Sequence, residues 1–215
     1  MCMLVKKPKH ITELELRTLA AKAKGKVNRI YLHWTAGSYG QPDDDYHLCV
    51  DRLGQVYCCC KDLSEKKAHT WMRNQGGVAI ALCCGENATC WLPVGCNPRM
   101  LAAGVDENLQ NAAPNRAKVN FGSTPPTQPQ IEKMAKLTAL LCDELELAVS
   151  KDTVMTHCEV AFKDGYGPGS GDPDCCWDLW FLPDAKHFGR LLPGGEMIRG
   201  QALALQQSLH GESKN

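Results

Sequence analysis

The alternation of apolar and polar positions divides the chain into short blocks. Residues 12–24, TELELRTLAAKAK, predict a short amphipathic helix with Thr12 as N-cap and Gly25 as its stop. Residues 28–35, NRIYLHWT, are rich in branched and aromatic side chains and predict a strand ending in the turn Ala36-Gly37-Ser38. Tyr46–Asp51 and Gln55–Cys60 predict a hairpin around Arg52-Leu53-Gly54. Val78–Cys84 is a continuous apolar run, as a central strand buried on both faces requires. Residues 85–127 lose periodicity and gain Asn, Pro and Gly, so they predict a long excursion with short helical pieces. The clearest helix is 128–149. Ile131, Met134, Leu137, Leu141, Leu145 and Ala148 recur at spacings of three and four, and Thr127 with Gln130 reads as a capping box. Val154-Met155-Thr156 is a short apolar piece before His157, and residues 163–174 form a Gly/Pro loop. Pro183–Leu192 and Glu196–Ser208 predict two closing helices, and residues 211–215 a frayed tail. Strands separated by helices predict an α/β protein with a central mixed β-sheet flanked by helices. The expected organisation is a single domain over residues 1–215, with a core over 27–192 and a C-terminal helix and tail over 193–215.

Composition narrows the function. A chain of 215 residues suits one domain, and 44% hydrophobic with 22% charged residues is an ordinary globular balance. Lys+Arg and Asp+Glu are both 24, a formal net charge of +0, which excludes a strongly basic nucleic-acid binder. No apolar run is long enough to span a membrane. The first 18 residues, MCMLVKKPKHITELELRT, lack the apolar stretch of a signal peptide, so synthesis in the cytoplasm without one is expected.

Thirteen cysteines, at 2, 49, 58, 59, 60, 83, 84, 90, 96, 142, 158, 175 and 176, are the unusual feature. An odd number leaves one thiol over in any disulfide framework. Adjacent cysteines in a strand point to opposite faces, so they do not readily share one metal. No C-x-x-C pair has a matching second pair, and no spacing supports a metal or redox site. The simplest expectation is cysteine used as a small apolar residue in a reducing cytosol, with disulfides after export left open.

Four places carry candidate chemistry. His33 sits near the end of a hydrophobic strand, where sites on α/β sheets are built. His157 follows a short apolar segment, and Asp172 comes fifteen residues later, at the end of the Gly-rich loop. Two imidazoles and one carboxylate form a zinc donor set with a fourth position for water. Tyr46 and His47 point to opposite faces if they lie in a strand, so one of them faces the working side. His69 lies in a loop before the central strand. Each alone is equally readable as a packed core or surface residue.

The stretches IYLHWTAG, DYHLCVDRLGQVY, AHTWMRNQGGVAIAL, MTHCEV and DPDCCWD occur in this order over roughly residues 27 to 180. In that order they resemble the zinc-dependent N-acetylmuramoyl-L-alanine amidases of type 2, which share a fold with peptidoglycan-recognition proteins. HTW-x-RN, GYGPGSGDP and WDLWFLPD are similar to a phage or prophage endolysin subgroup. The resemblance implies a Zn2+ cofactor held by His33, His157 and Asp172, with Asp174, Cys175 and Cys176 as neighbouring competitors for the third place. It implies hydrolysis of the amide joining N-acetylmuramic acid to L-alanine in peptidoglycan. Family members position the water with a Glu on the central strand, here Ala81, or with a Tyr on the second strand, here Tyr46. His69 matches a substrate-facing histidine, and Trp34, Thr35 and Asn74 are the further substrate-binding residues expected. Where many members place an oxyanion-stabilising Lys, this chain has Ser170, and Lys163 is the one lysine in that loop. A monomer acting on the cell wall, with no nucleic-acid partner, is the expected context. Two alternatives are a peptidoglycan-binding module without catalysis and a cytosolic amidase of recycled muropeptides.

Overall fold

The computed structural model of the protein describes residues 8–91, 118–166, 176–187 and 189–212. A six-stranded mixed sheet is built from β1 (Lys9–His10), β2 (Arg29–Trp34), β3 (Leu48–Val50), β4 (Val56–Cys58), β5 (Gly77–Leu82) and β8 (Val154–Thr156). Its strand order is β1-β4-β3-β5-β2-β8. β3, β5, β2 and β8 run parallel, while β4 and β1 are antiparallel additions at one edge. Two small ladders stand apart from it: β6 (Thr89–Trp91) with β7 (Lys118–Asn120), and β9 (Phe181–Pro183) with β10 (Leu191–Pro193). The helices among the described residues are α1 (Glu13–Ala23), α2 (Gln128–Glu144), α3 (His157–Asp164) and α4 (Gly194–Glu212).

Local sequence explains where the helices begin. Thr12, Thr127 and Thr156 each accept a backbone N–H from the third helical residue, and Glu15, Gln130 and Glu159 reach back to the cap in turn. Each such cap is worth about 1 kcal/mol. Strand alternation then sorts β2 into two faces. Ile30, Leu32 and Trp34 join the main core with Leu16, Ile131, Met134 and Leu141 from α1 and α2. Tyr31 and His33 point the other way. Tyr31 meets Met155 and Val160, and Ala81, Cys49 and Cys83 continue that face beneath Tyr46 and Tyr57. Fully burying a Leu or Ile is worth about 1.5–3 kcal/mol, so the helix-covered face dominates stability and the other face is free for polar work.

Several of these expectations are corrected. The helix predicted over 128–149 ends at Glu144, because Leu147 N–H bonds Cys142 O and Glu146 N–H bonds Asp143 O around a left-handed Glu146 at φ 56. That is a Schellman ending without the usual glycine, so no local stop signal marks it. Pro183–Leu192 is a strand pair, not a helix. Asp184 ties its turn by accepting from Lys186 N–H and pairing with His187 Nδ1, while Asp184 N–H reaches Arg190 O. Within 85–127, the described ends carry the β6–β7 ladder, and the short helical pieces expected in this stretch concern residues 92–117, which lie outside the described residues. The last helix starts at Gly194 and runs to Glu212, taking in Gly211 and Glu212, which were expected to belong to the frayed tail.

Candidate functional site

Parallel β2 and β8 end side by side, with Leu32 in register with Thr156. His33 is the next residue of β2, and His157, directly after β8, is the first residue of α3. The two imidazoles therefore meet with ring centroids 4.8 Å apart. Asp178, from the turn before β9, closes the group. Its Oδ2 lies 3.1 Å from His33 Nδ1 and its Oδ1 lies 3.1 Å from His157 Nδ1. The ligating atoms of His33, His157 and Asp178 all fall within 4.8 Å of one another, a group able to hold a metal ion.

The electrostatics bind the three together. Burial would raise the Asp178 carboxyl, but the charges and hydrogen bonds of His157 and His33 hold it far below the usual range. At His157 burial opposes protonation, and Asp178 outweighs it, so the pKa rises. At fully buried His33 desolvation wins over Asp178 and the pKa falls. His157 Nε2 is buried and finds no partner among the described residues.

A second row of polar groups backs the first. Thr70 Oγ1 is 3.3 Å from His33 Nε2 and 2.9 Å from His69 Nδ1. Asn74 Oδ1 accepts the backbone N–H groups of His69 and Thr70, which fixes the turn that presents them. Burial, reinforced by the neighbouring histidines, pushes His69 down to about 2, so it is neutral at any working pH. Tyr46 lies with its ring centroid 5.1 Å from that of His33 and donates its hydroxyl to Trp34 O at 3.2 Å. Burial raises its pKa strongly, so it is a phenol and not a phenolate. His47 is fully spent in structure. Its Nδ1 accepts Ala79 N–H and its Nε2–H donates to Glu65 O at 2.8 Å.

The structure thus brings together His33, His157, Tyr46 and His69. Ala81 is the direct register neighbour of His33 and offers no functional group. Trp34 is not brought to the site. It faces the core, edge-on to Trp177 at 4.7 Å. Thr35 turns its hydroxyl to Gly37 N–H, and Asn74 serves its own loop. Lys163 pairs with Asp152 at the surface, at 3.8 Å, and does not fold into the site. Ser170, Asp172, Asp174 and Cys175 lie outside the described residues. Sequence reasoning passed over Asp178 and Thr70. An acid inside the apolar run Trp177-Asp178-Leu179-Trp180 was the available signal for Asp178, since a carboxylate buried there needs partners.

No helix among the described residues is long and apolar enough to cross a membrane. None of the individually curated proteins matches the chain. The family model described as N-acetylmuramoyl-L-alanine amidase matches residues 23–173, well over half of the chain. The match takes in His33, Tyr46, His69, His157 and Asp172 and stops short of Asp178. Fold, order of segments and family match agree, and the chain belongs to the N-acetylmuramoyl-L-alanine amidase family.

Proposed function

We propose that the protein is a zinc-dependent amidase that cleaves the bond between N-acetylmuramic acid and L-alanine in peptidoglycan, acting as a phage-type endolysin. The observation that carries this reading is the convergence of His33, His157 and Asp178 at the end of the sheet in a chain of that family. The donor set fits zinc. Bonds of about 2.0 Å in a tetrahedral site separate ligand atoms by about 3.3 Å. Asp178 stands 3.1 Å from each Nδ1. His33 and His157 would hold the ion, with Asp178 as the carboxylate brought to them. Asp172, inside the family match, is the rival for that third place. When bound, zinc supplies a Lewis acid and a water acidified toward a pKa of about 7.

The chain's own residues orient and hold protons. With Nδ1 of His33 committed to ligation, its Nε2–H donates to Thr70 Oγ1, and Thr70 donates onward to His69 Nδ1. That relay fixes the tautomer and ring orientation of His33, the role outer hydrogen bonds play at metal histidines. Tyr46, kept protonated by burial, would supply a neutral O–H donor to the attacking water or the developing oxyanion by turning its hydroxyl away from Trp34 O. Ala81 removes the alternative of a carboxylate base on the central strand. Trp71 is 63% exposed and lies edge-on to Tyr166, whose ring is 6.3 Å from that of His157. This aromatic rim suits the apolar face of a sugar ring. The lytic role rests on the endolysin-like motifs HTW-x-RN, GYGPGSGDP and WDLWFLPD.

The test is mass spectrometry of products from purified sacculi, with and without a zinc chelator. Chelator-sensitive release of peptides with a free N-terminal L-alanine is the expected result. Turnover of soluble muropeptides alone would replace the lytic role with a recycling one, and no turnover of either would leave a binding module. Metal content of Asp178→Asn and Asp172→Asn assigns the third ligand. Loss in Asp178→Asn with retention in Asp172→Asn is expected, and the reverse would transfer the role to Asp172.

A further inference from the structure

Strand alternation divides Cys58-Cys59-Cys60 between the two sides of the sheet edge. Cys59 turns toward Cys49, with the Sγ atoms 3.9 Å apart, on the Tyr46 side. Cys58 and Cys60 pack together on the opposite side, against the helix-covered core. Their Sγ atoms are 3.7 Å apart, and both residues remain partly exposed. They open on a cavity of about 320 Å³ bordered by Lys9, Ile11, Thr18 and Leu19. Nothing in the amidase chemistry uses this pair.

We propose that Cys58 and Cys60 form a chelating dithiolate site for a soft divalent cation with a filled d shell, separate from the His33–His157 centre. Spacing is the first ground. Zinc–sulfur bonds of about 2.3 Å in a tetrahedral site set two sulfurs about 3.8 Å apart. The two thiols already stand at 3.7 Å. Ionisation is the second. The hydrogen bond with Cys60 lowers Cys58 to about 7, against the opposing effect of burial, so one thiolate is at hand near neutral pH; the same bond and burial push Cys60 well up, so its proton leaves only as the metal binds. Space is the third, since the cavity admits the waters that complete the ion's shell. Other nearby groups are engaged. His10 packs against Tyr57 with tilted rings 4.2 Å apart and pairs with it across β1 and β4, and Glu15 holds Thr12 in its capping box. Of the nearby charges, Lys67 favours the thiolate form of Cys58 and Glu65 opposes it. On binding, two sulfur–metal bonds form and each thiol still protonated gives its proton to solvent. Nothing is oxidised.

The experiment is a titration of the full chain with Cd2+ under reducing conditions, read by the ultraviolet thiolate-to-cadmium charge-transfer band. Cys58→Ser and Cys60→Ser should each lose the tightest-binding equivalent of that band, and Cys58→Ala with Cys60→Ala should repeat the loss. Cys49→Ser and Cys59→Ser should keep it. His157→Ala should keep it too, because imidazole and carboxylate donors give no thiolate band, which separates this site from the hydrolytic centre. An unchanged band in Cys58→Ser and Cys60→Ser, or a loss confined to the Cys49 and Cys59 variants, overturns the proposal.

Discussion

Replacing Arg199 by Met tests what holds the helix that starts at His157. Arg199, buried on α4, donates through Nη1 to Glu159 Oε2 at 2.8 Å and through Nη2 to Glu159 Oε1 at 2.7 Å. The same Nη1 donates to Val154 O at 2.9 Å, on the strand leading into the site. Glu159 Oε2 also accepts Thr156 N–H at 2.9 Å, so one carboxylate joins strand end, helix start and α4. Gly195 makes room for it, since a Cβ there would sit 2.4 Å from the carboxylate oxygens. Removing one partner of a buried ion pair costs about 3–5 kcal/mol, because the other charge is left without compensation. Glu159 keeps its Thr156 bond and 24% of its side-chain exposure, which places the expected loss near the low end, about 3 kcal/mol. For a chain of this size that is a fall in Tm of roughly 6–12 °C. Urea unfolding of Arg199→Met, Glu159→Gln and the double variant gives the coupling, expected between about 1 and 3 kcal/mol. Metal affinity should fall in step, since His157 is the first residue of the loosened helix. A loss below about 1 kcal/mol in Arg199→Met, with no coupling, would refute the reasoning and leave the capping box as sole support.

Gly194→Ala should destabilise by more than about 1–3 kcal/mol, because its Cβ would lie 2.0 Å from the Leu179 carbonyl oxygen and backbone cannot step aside; an unchanged urea midpoint would count against this. Tyr46→Phe should retain metal and lose turnover by about 10²-fold or more, as for loss of one oxyanion donor, and a wild-type rate would remove Tyr46 from the chemistry. His47 should stay neutral down to about pH 4, because burial lowers its pKa to about 4. Its unfolded value is near 6.5, so the unfolded chain binds more protons between these limits and stability falls as pH drops through that window, by about 3 kcal/mol from this group. An NMR titration of His47 with a midpoint near 6.5 would refute it. A chelator should lower the Tm of the metal-loaded protein, since an ion bound only to the folded state stabilises it; an unmoved Tm would argue against a resident metal.

Much of the fold was readable because its signals are local. Thr12-x-x-Glu15 and Thr127-x-x-Gln130 mark helix starts through the backbone N–H groups they cap, and both helices begin there. The apolar run at Val78 reads as a doubly buried strand, and β5 lies inside the sheet. Where the stop depends on an unusual backbone state, as at Glu146, or on an acid organising a turn, as at Asp184, the apolar period gave the wrong answer.

The site was half legible for the same reason. Strand ends and neighbouring residues pointed to His33, His157, Tyr46 and His69, because each lies beside a readable element. The partner of the histidines was not, since Asp178 reaches them from 145 residues beyond His33 in the chain. Likewise the thiols of Cys58 and Cys60 gain meaning only from the sulfur spacing and from α1 closing over them. Sequence determined which side chains exist and which face of a strand or helix each takes, because those follow from period and capping over a few residues. Only the tertiary structure decided which carboxylate meets which imidazole, because that depends on parallel register and on how a distant turn is packed against the end of the sheet.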